Sequence, residues 1–121
     1  MTDKEDELRA AVEKKLFARA SDLAASMEAP QEQIEHLRNE ALWQISAVFR
    51  NAAGTRMMAE RQGLSKKQVE DYLRKRLEEE RSRGGNKILE PTFDHHTKRY
   101  LTFDEWLDFL IRKWDKLASP S

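Results

Sequence analysis

The sequence contains no cysteine. Disulfide scaffolds, thiol nucleophiles and cysteine-based zinc sites are therefore excluded, and the absence fits a reducing compartment. Long apolar runs are also missing, since none approaches the roughly 20 residues that a membrane-spanning helix needs. The amino terminus is charged from its third residue and lacks the apolar core of a signal peptide. The sequence thus predicts a cytoplasmic protein with no membrane partner.

The chain has no excess of charge of either sign, because 22 basic residues balance 22 acidic ones. A net charge of zero gives no long-range attraction to nucleic acid or anionic lipid, and it leaves little repulsion between copies of the chain. With 121 residues, three Trp, two Tyr and five Phe, the chain is long enough and aromatic enough for one modest core. We expect a single domain over residues 1–121.

Apolar residues recur at intervals of three and four positions along most of the chain, which indicates amphipathic helices. Ser65 with Gln68 has the spacing of a helix-capping box. Gly54 is expected to end one helix, and Thr55 to cap the next. The predicted fold is all-α, a compact domain of four to five helices that cover residues 2–27, 30–53, 56–62, 66–82 and 103–118.

Residues 83–101 break the helical pattern. Two short β-prone pieces, "KIL" and "RYL", flank a polar middle and fit the two strands of a small hairpin. The middle piece, "EPTFDHHTK", is long for a hairpin loop, so a long irregular loop before the last helix fits the sequence equally well.

Residues 57–76, "MMAERQGLSKKQVEDYLRKR", have the spacing of a helix-turn-helix. Ala59 is small enough for a tight helix crossing, Gly63 permits the turn, and Val69 is placed to face the core. The side chains that would meet a DNA groove are those of Ser65, Lys66, Lys67 and Arg74. With a hairpin following, the arrangement would resemble a winged helix.

The charges of this segment oppose DNA binding. Glu70 and Asp71 lie at the centre of the surface that would meet DNA, where phosphates repel them. Residues 65–87 carry eight basic and five acidic side chains, a net charge of only plus three. A structural helical hairpin with a solvated charged face is therefore the favoured interpretation, and a DNA-binding transcriptional regulator is the alternative.

Large aromatic residues provide the best candidates for partner binding. Trp43 lies opposite the apolar stripe of its helix, beside Arg50, which means either that the helix is covered on two sides or that it displays a contact site. The last helix has the broadest apolar face, which includes Phe109 and Trp114. That face is either the centre of the core or a surface for a partner or a second copy.

Catalytic and metal-binding motifs are weak. No phosphate-cradling glycine loop or glycine-flanked serine is present. Asp94, His95 and His96 have suitable chemistry for a metal, but adjacent residues rarely converge on one ion. We therefore expect no enzyme, no metal, no cofactor and no small-molecule substrate. The predicted function is a non-enzymatic interaction or regulatory module whose partner is another protein or a second copy.

Overall fold

Helices dominate the structure, a computed structural model that describes residues 3–84, 90–95 and 97–117. Strands β1 (Thr92–Asp94) and β2 (Arg99–Leu101) form an antiparallel hairpin before the last α-helix. The all-α class and the hairpin are thereby confirmed. In the described ranges the α-helices number six: α1 (Asp3–Glu13), α2 (Phe17–Ser26), α3 (Gln31–Trp43), α4 (Ala52–Gln62), α5 (Lys66–Arg83) and α6 (Phe103–Arg112).

The chain divides into two compact units, Met1–Gln44 and Ile45–Ser121, each with its own buried residues. The prediction of a single domain stays a prediction. Within the part of the chain that the structure describes, no helix is both long enough and apolar enough to cross a bilayer.

In the first unit, α2 packs against both α1 and α3. Small side chains make these contacts close, because Ala11, Ala20 and Ala24 are buried where the helices meet. Ile34 and Leu37 of α3 complete this core. The alanine-rich sequence of α2 thus serves close helix packing.

The predicted helix over residues 2–27 is wrong, because the structure has two helices there. Lys15 adopts a left-handed backbone with φ of 58°, and Leu16 N donates to Ala11 O at 2.8 Å to close the end of α1. The turn folds α2 back onto α1. Neither Gly nor Pro marks this break, so apolar spacing alone could not reveal it.

The predicted boundary between the second and third helices is also wrong. A π-helical turn (Gln44–Val48) follows α3, and Arg50 has φ of 50°. Asn51 caps α4, with its Oδ1 accepting from Gly54 N at 2.9 Å. Gly54 and Thr55 therefore lie inside α4 and neither ends nor caps a helix.

The α-carbon of Gly54 is closely surrounded by neighbouring side chains. A Cβ atom on Gly54 would come within 2.6 Å of both Asn51 Nδ2 and Ile45 Cδ1. Any larger residue at this position would therefore require the Asn51 and Ile45 side chains to move.

In the second unit, α5 begins at the predicted capping box, in which Ser65 Oγ accepts from Gln68 N at 3.2 Å. It ends within one residue of the predicted position. The carboxylate of Asp108 accepts a hydrogen bond from Arg74 Nη2 at 2.9 Å, and Arg81 pairs with Asp104. These ion pairs join α5 to α6.

Glu80, near the end of α5, is a buried acidic residue. Its Oε1 accepts from Arg76 Nε at 3.0 Å and from Arg83 Nη1 at 3.2 Å. Two guanidinium groups therefore neutralise the carboxylate, as a buried charge requires.

The helix predicted over residues 103–118 is divided as well. The α-helix α6 ends at Arg112, and a 3-10 helix (Trp114–Leu117) follows and packs against α4. Residue 118 lies outside the described residues. The start of α6 is as predicted, because Thr102 and Glu105 form a reciprocal capping box.

The hairpin is built from other residues than the sequence indicated. Strand β2 is the predicted "RYL", and its partner β1 is "TFD", which was assigned to the loop. The predicted strand "KIL", residues 87–89, lies outside the described residues. The pairing is short because Pro91 directly precedes β1, and proline cannot donate to a strand ladder.

Candidate protein-interaction surface

A cleft of 280 Å³ lies within the second unit. Residues 48–50 and residues 92–95 line it, together with Trp106. Phe49, Phe93 and Tyr100 are three exposed aromatic residues, of which the first two line the cleft and Tyr100 contacts Phe93. We call these three side chains the aromatic surface.

The turn between α3 and α4 exposes Phe49. Backbone Asn51 N donates to Ile45 O at 3.0 Å, which closes the π-helical turn around residues 45–51. The left-handed Arg50 then redirects the chain into α4. Phe49 is left 64% exposed at the outside of this turn, an unusual amount for a phenylalanine.

The hairpin holds the other two rings side by side. Phe93 is paired with Tyr100 in the strand register, and their ring centroids are 5.4 Å apart in an edge-to-face arrangement. The ring of His95 contacts Phe93 on a further edge, at 5.1 Å between centroids. Tyr100 is 69% exposed and Phe93 39%. The pair therefore presents aromatic area to solvent on one face of the hairpin.

The hairpin loop is fixed by Asp94. Its Oδ2 accepts from Thr97 N at 2.7 Å, and its main-chain oxygen accepts from Lys98 N at 2.8 Å. Lys98 adopts φ of 61° to complete the turn. Asp94 is buried by this folding to 8% exposure, although it also contributes to the lining of the cleft.

Arg50 supplies a positive charge next to the aromatic rings. Its Nη1 donates to Leu101 O at 3.2 Å, its Nε donates to Ala47 O at 3.0 Å, and the guanidinium lies 5.3 Å from the ring centroid of Phe103. Burial lowers the pKa of Arg50 below its ordinary value, and the Asp94 carboxylate acts in the opposite direction. The group is held rigidly and stays charged at any physiological pH.

This combination suits binding of a protein surface. Exposed aromatic rings lose water favourably when an apolar side chain covers them, at roughly 25 cal/mol per Å² of buried area. Tyr and Arg are the residue types most often found at the energetic centres of interfaces.

The predicted partner-binding residues are placed differently. Trp43 and Trp114 are each 4% exposed and Phe109 is 9% exposed, so a partner cannot reach them without rearrangement. Arg56 lies 4.7 Å above the ring centroid of Trp114, which covers that indole further. Of the four predicted residues, Arg50 alone lines the cleft.

Phe49, Phe93 and Tyr100 were missed at the sequence level. Phe93 lies in the piece assigned to the loop, and Phe49 lies outside the apolar stripe of the predicted second helix. The available signal was the pair of aromatic residues, Phe93 and Tyr100, that flank a polar segment from which a hairpin loop can form.

The segment predicted as a helix-turn-helix consists of α4 and α5, joined by a turn at Gly63. Gly63 adopts φ of 70° between α4 and α5, and Ala59 and Val69 are fully buried on either side of it. Lys66 and Lys67 are exposed in the first turn of α5. The order of elements is therefore that of the motif, and the helix-turn-helix stays a prediction.

Three of the four candidate DNA-reading side chains, those of Ser65, Lys67 and Arg74, have partners inside the chain. Ser65 caps α5, and Lys67 Nζ lies 3.5 Å from Asp71 Oδ2. Arg74 contacts Glu70 Oε2 at 3.0 Å in addition to Asp108, and the hydrogen bond that Arg74 donates to Asp108 is the main reason that the pKa of Arg74 is raised. Acidic groups therefore offset the basic ones on this face.

Potential metal ligands near the hairpin do not converge. Asp94 is engaged by the backbone of Thr97, and His95 packs on Phe93. The third residue of that hypothesis, His96, lies outside the described residues. Over residues 3–84, 90–95 and 97–117, no three His, Cys, Asp or Glu side chains are grouped closely enough to hold an ion.

A second, more open groove lies in the first unit. It is lined by Leu8, Val12 and Met27, with Glu5, Arg9 and Glu13 at its sides. Val12 is 39% exposed here. The groove has apolar walls but no exposed aromatic residue, so it is the weaker candidate.

Comparison of the chain with protein-family models, with curated proteins and with solved structures finds no match to any of them.

Proposed function

We propose that this chain is a non-enzymatic protein-interaction module that binds its partner through the aromatic surface of Phe49, Phe93 and Tyr100. The observation that carries the proposal is that exposed Phe49 and Phe93 line one cleft together with Arg50, and that exposed Tyr100 contacts Phe93. Exposed aromatic clusters on small soluble proteins are rare unless a partner covers them.

The assignment moves the predicted contact site. Trp43, Phe109 and Trp114 contribute to stability through their burial. Partner binding, which was predicted for them from the sequence, is proposed for the exposed rings instead. A partner that inserts an apolar side chain at the cleft would bury Phe49 and Phe93 together. The interaction would be carried by these rings, since the chain has no net charge to attract a partner from a distance.

The test compares matched variants of the immobilised chain in an extract of the cells that produce it. Phe49→Ser with Phe93→Thr removes two rings from the surface, and Met57→Ser removes a side chain of 51% exposure from α4 as the control. Proteins retained by the wild type and the control but lost by the double variant support the proposal. Retention that is the same for all three chains, with circular dichroism showing that all are folded, excludes it.

DNA binding is the second candidate, and the observation that favours it is the exposed Lys66 and Lys67 after the Gly63 turn. Fluorescence anisotropy with duplex DNA at low salt tests it directly. A DNA-binding chain should lose affinity steeply as salt rises, and Lys66→Gln with Lys67→Gln should weaken it further. Absence of binding at low salt removes this candidate without affecting the first.

A further inference from the structure

Strand β1 has a neighbouring strand on one side only, because the sheet in the described part of the chain has the order β1–β2. The backbone N–H and C=O groups on the opposite side of a terminal strand are available to pair with another strand. The middle residue of β1 is Phe93, which belongs to the aromatic surface. Backbone and side chain therefore offer binding groups at the same place.

We infer that the partner of the aromatic surface is a second copy of this chain, with β1 of each copy paired antiparallel about a twofold axis at Phe93. The inference rests on the proposed function, because it names the partner of the same surface. The two hairpins then form one four-stranded sheet, and the interface is the same on both copies.

The sequence of β1 suits pairing with itself. An antiparallel pairing centred on Phe93 places Thr92 of each copy opposite Asp94 of the other. Like charges directly opposite each other destabilise strand pairs, and this register places none in that position. The Asp94 carboxylate is in any case buried and accepts from the Thr97 backbone, so it does not repel its copy across the axis.

The same register continues the aromatic surface across both copies. Residues that are directly opposite in an antiparallel pair project from the same face of the sheet. Phe93 is opposite Tyr100 within one hairpin, and in the dimer it is also opposite Phe93 of the second copy. Four rings would thus lie in one row, and each copy would cover part of the apolar area that the other exposes.

Electrostatics permits this partner. The formal charge of the chain is zero, so two copies approach without net repulsion. The rim of the hairpin carries Lys98 and Arg99, both exposed, so a short acidic peptide is the other occupant that the edge would accept. Crosslinking at Phe93 distinguishes the two occupants, because only a second copy of the chain brings a second thiol to this position.

Single-cysteine crosslinking tests the register, and the absence of native cysteine makes it clean. In Phe93→Cys the two thiols meet at the axis, so mild oxidation should give a disulfide-linked dimer at a protein concentration raised about 100-fold to offset the weaker association of a chain without the ring. In Tyr100→Cys the two α-carbons are three strand spacings apart, about 14 Å, which exceeds the roughly 7 Å limit of a disulfide. The register is overturned if Tyr100→Cys, or the control Met57→Cys, forms the disulfide-linked dimer as readily as Phe93→Cys does.

Sedimentation equilibrium tests the association itself. The wild type should change from monomer to dimer as concentration rises, and Phe93→Thr, which keeps a β-forming residue, should weaken the dimer roughly 100-fold, because one ring is lost from each copy. Met57→Ser should leave the dissociation constant of the dimer unchanged. A wild type that stays monomeric at all concentrations overturns the inference. If retention of other proteins from the extract then still depends on Phe93, the proposed function stands with a different partner.

Discussion

The Nη1 atom of Arg50 donates a hydrogen bond to the main-chain oxygen of Leu101 at 3.2 Å. This bond joins the segment after the π-helical turn to the last residue of β2. The same guanidinium also lies over the ring of Phe103, at the start of α6. One side chain therefore connects the turn before α4 to both β2 and the start of α6.

Substitution of Arg50 by Met should lower the free energy of unfolding by about 1–3 kcal/mol. Methionine keeps the apolar stem but removes the donor to Leu101 and the cation above Phe103. Urea unfolding followed by tryptophan fluorescence measures the change. Arg112→Met, at an exposed position of α6, is the control and should change stability by less than about 0.5 kcal/mol. Equal losses in the two variants would show that the Arg50 contacts contribute nothing specific.

Gly54→Ala should destabilise the protein, although alanine is the better helix former by about 1 kcal/mol. The added Cβ would lie 2.6 Å from Asn51 Nδ2, so the Asn51 side chain must move and weaken its cap on Gly54 N. We expect a net loss of about 1–2 kcal/mol in thermal or urea unfolding. The loss should shrink in an Asn51→Ser background, where the cap is shorter. A stabilising effect of Gly54→Ala would contradict the close approach.

Helix boundaries that carry strong local signals were predictable from the sequence. The capping boxes at Ser65 and Thr102 depend on a side chain and a backbone N–H three residues apart, so sequence spacing alone reveals them. Gly63 likewise marks the turn before α5, because its left-handed backbone favours glycine. The all-α class follows from the same local periodicity.

The breaks that were missed occur where tertiary packing overrides local preference. Lys15 and Arg50 both adopt positive φ, which sequence patterns associate with glycine or asparagine. The break at Lys15 lets α2 fold onto α1, and the break at Arg50 redirects the chain into α4. The candidate surface depends on the second break, since Phe49 is exposed by that turn. The surface could therefore not be predicted from periodicity.

Glu80→Gln should lower the free energy of unfolding by about 1–3 kcal/mol. The buried carboxylate accepts from both Arg76 and Arg83, and a neutral amide removes the negative charge that faces these two guanidinium groups. The control is Glu79→Gln, because the neighbouring Glu79 side chain is exposed. Urea unfolding compares the two variants. Similar stabilities of the two variants would mean that the buried ion pair is energetically neutral.

The capping box of α6 should make stability depend on pH in the acid range. The hydrogen bond from Thr102 N is the main reason that the pKa of Glu105 is lowered below its ordinary value of 4.5, with smaller effects from the Thr102 hydroxyl and Arg99. A carboxyl whose pKa is lower in the folded state stabilises the fold above the unfolded pKa, and this contribution is lost as pH falls through the folded pKa.

Glu105→Gln isolates this effect, because glutamine can form the same capping box but does not titrate, as Gln68 shows at the start of α5. The stability difference between wild type and variant should be larger near pH 7 than at a pH below the folded-state pKa, where the wild-type carboxyl is protonated in both states. NMR titration of the Glu105 carboxyl carbon should give a midpoint below 4.5. A midpoint at or above that value, or a stability difference that does not change with pH, would mean that the Thr102 backbone does not favour the charged form.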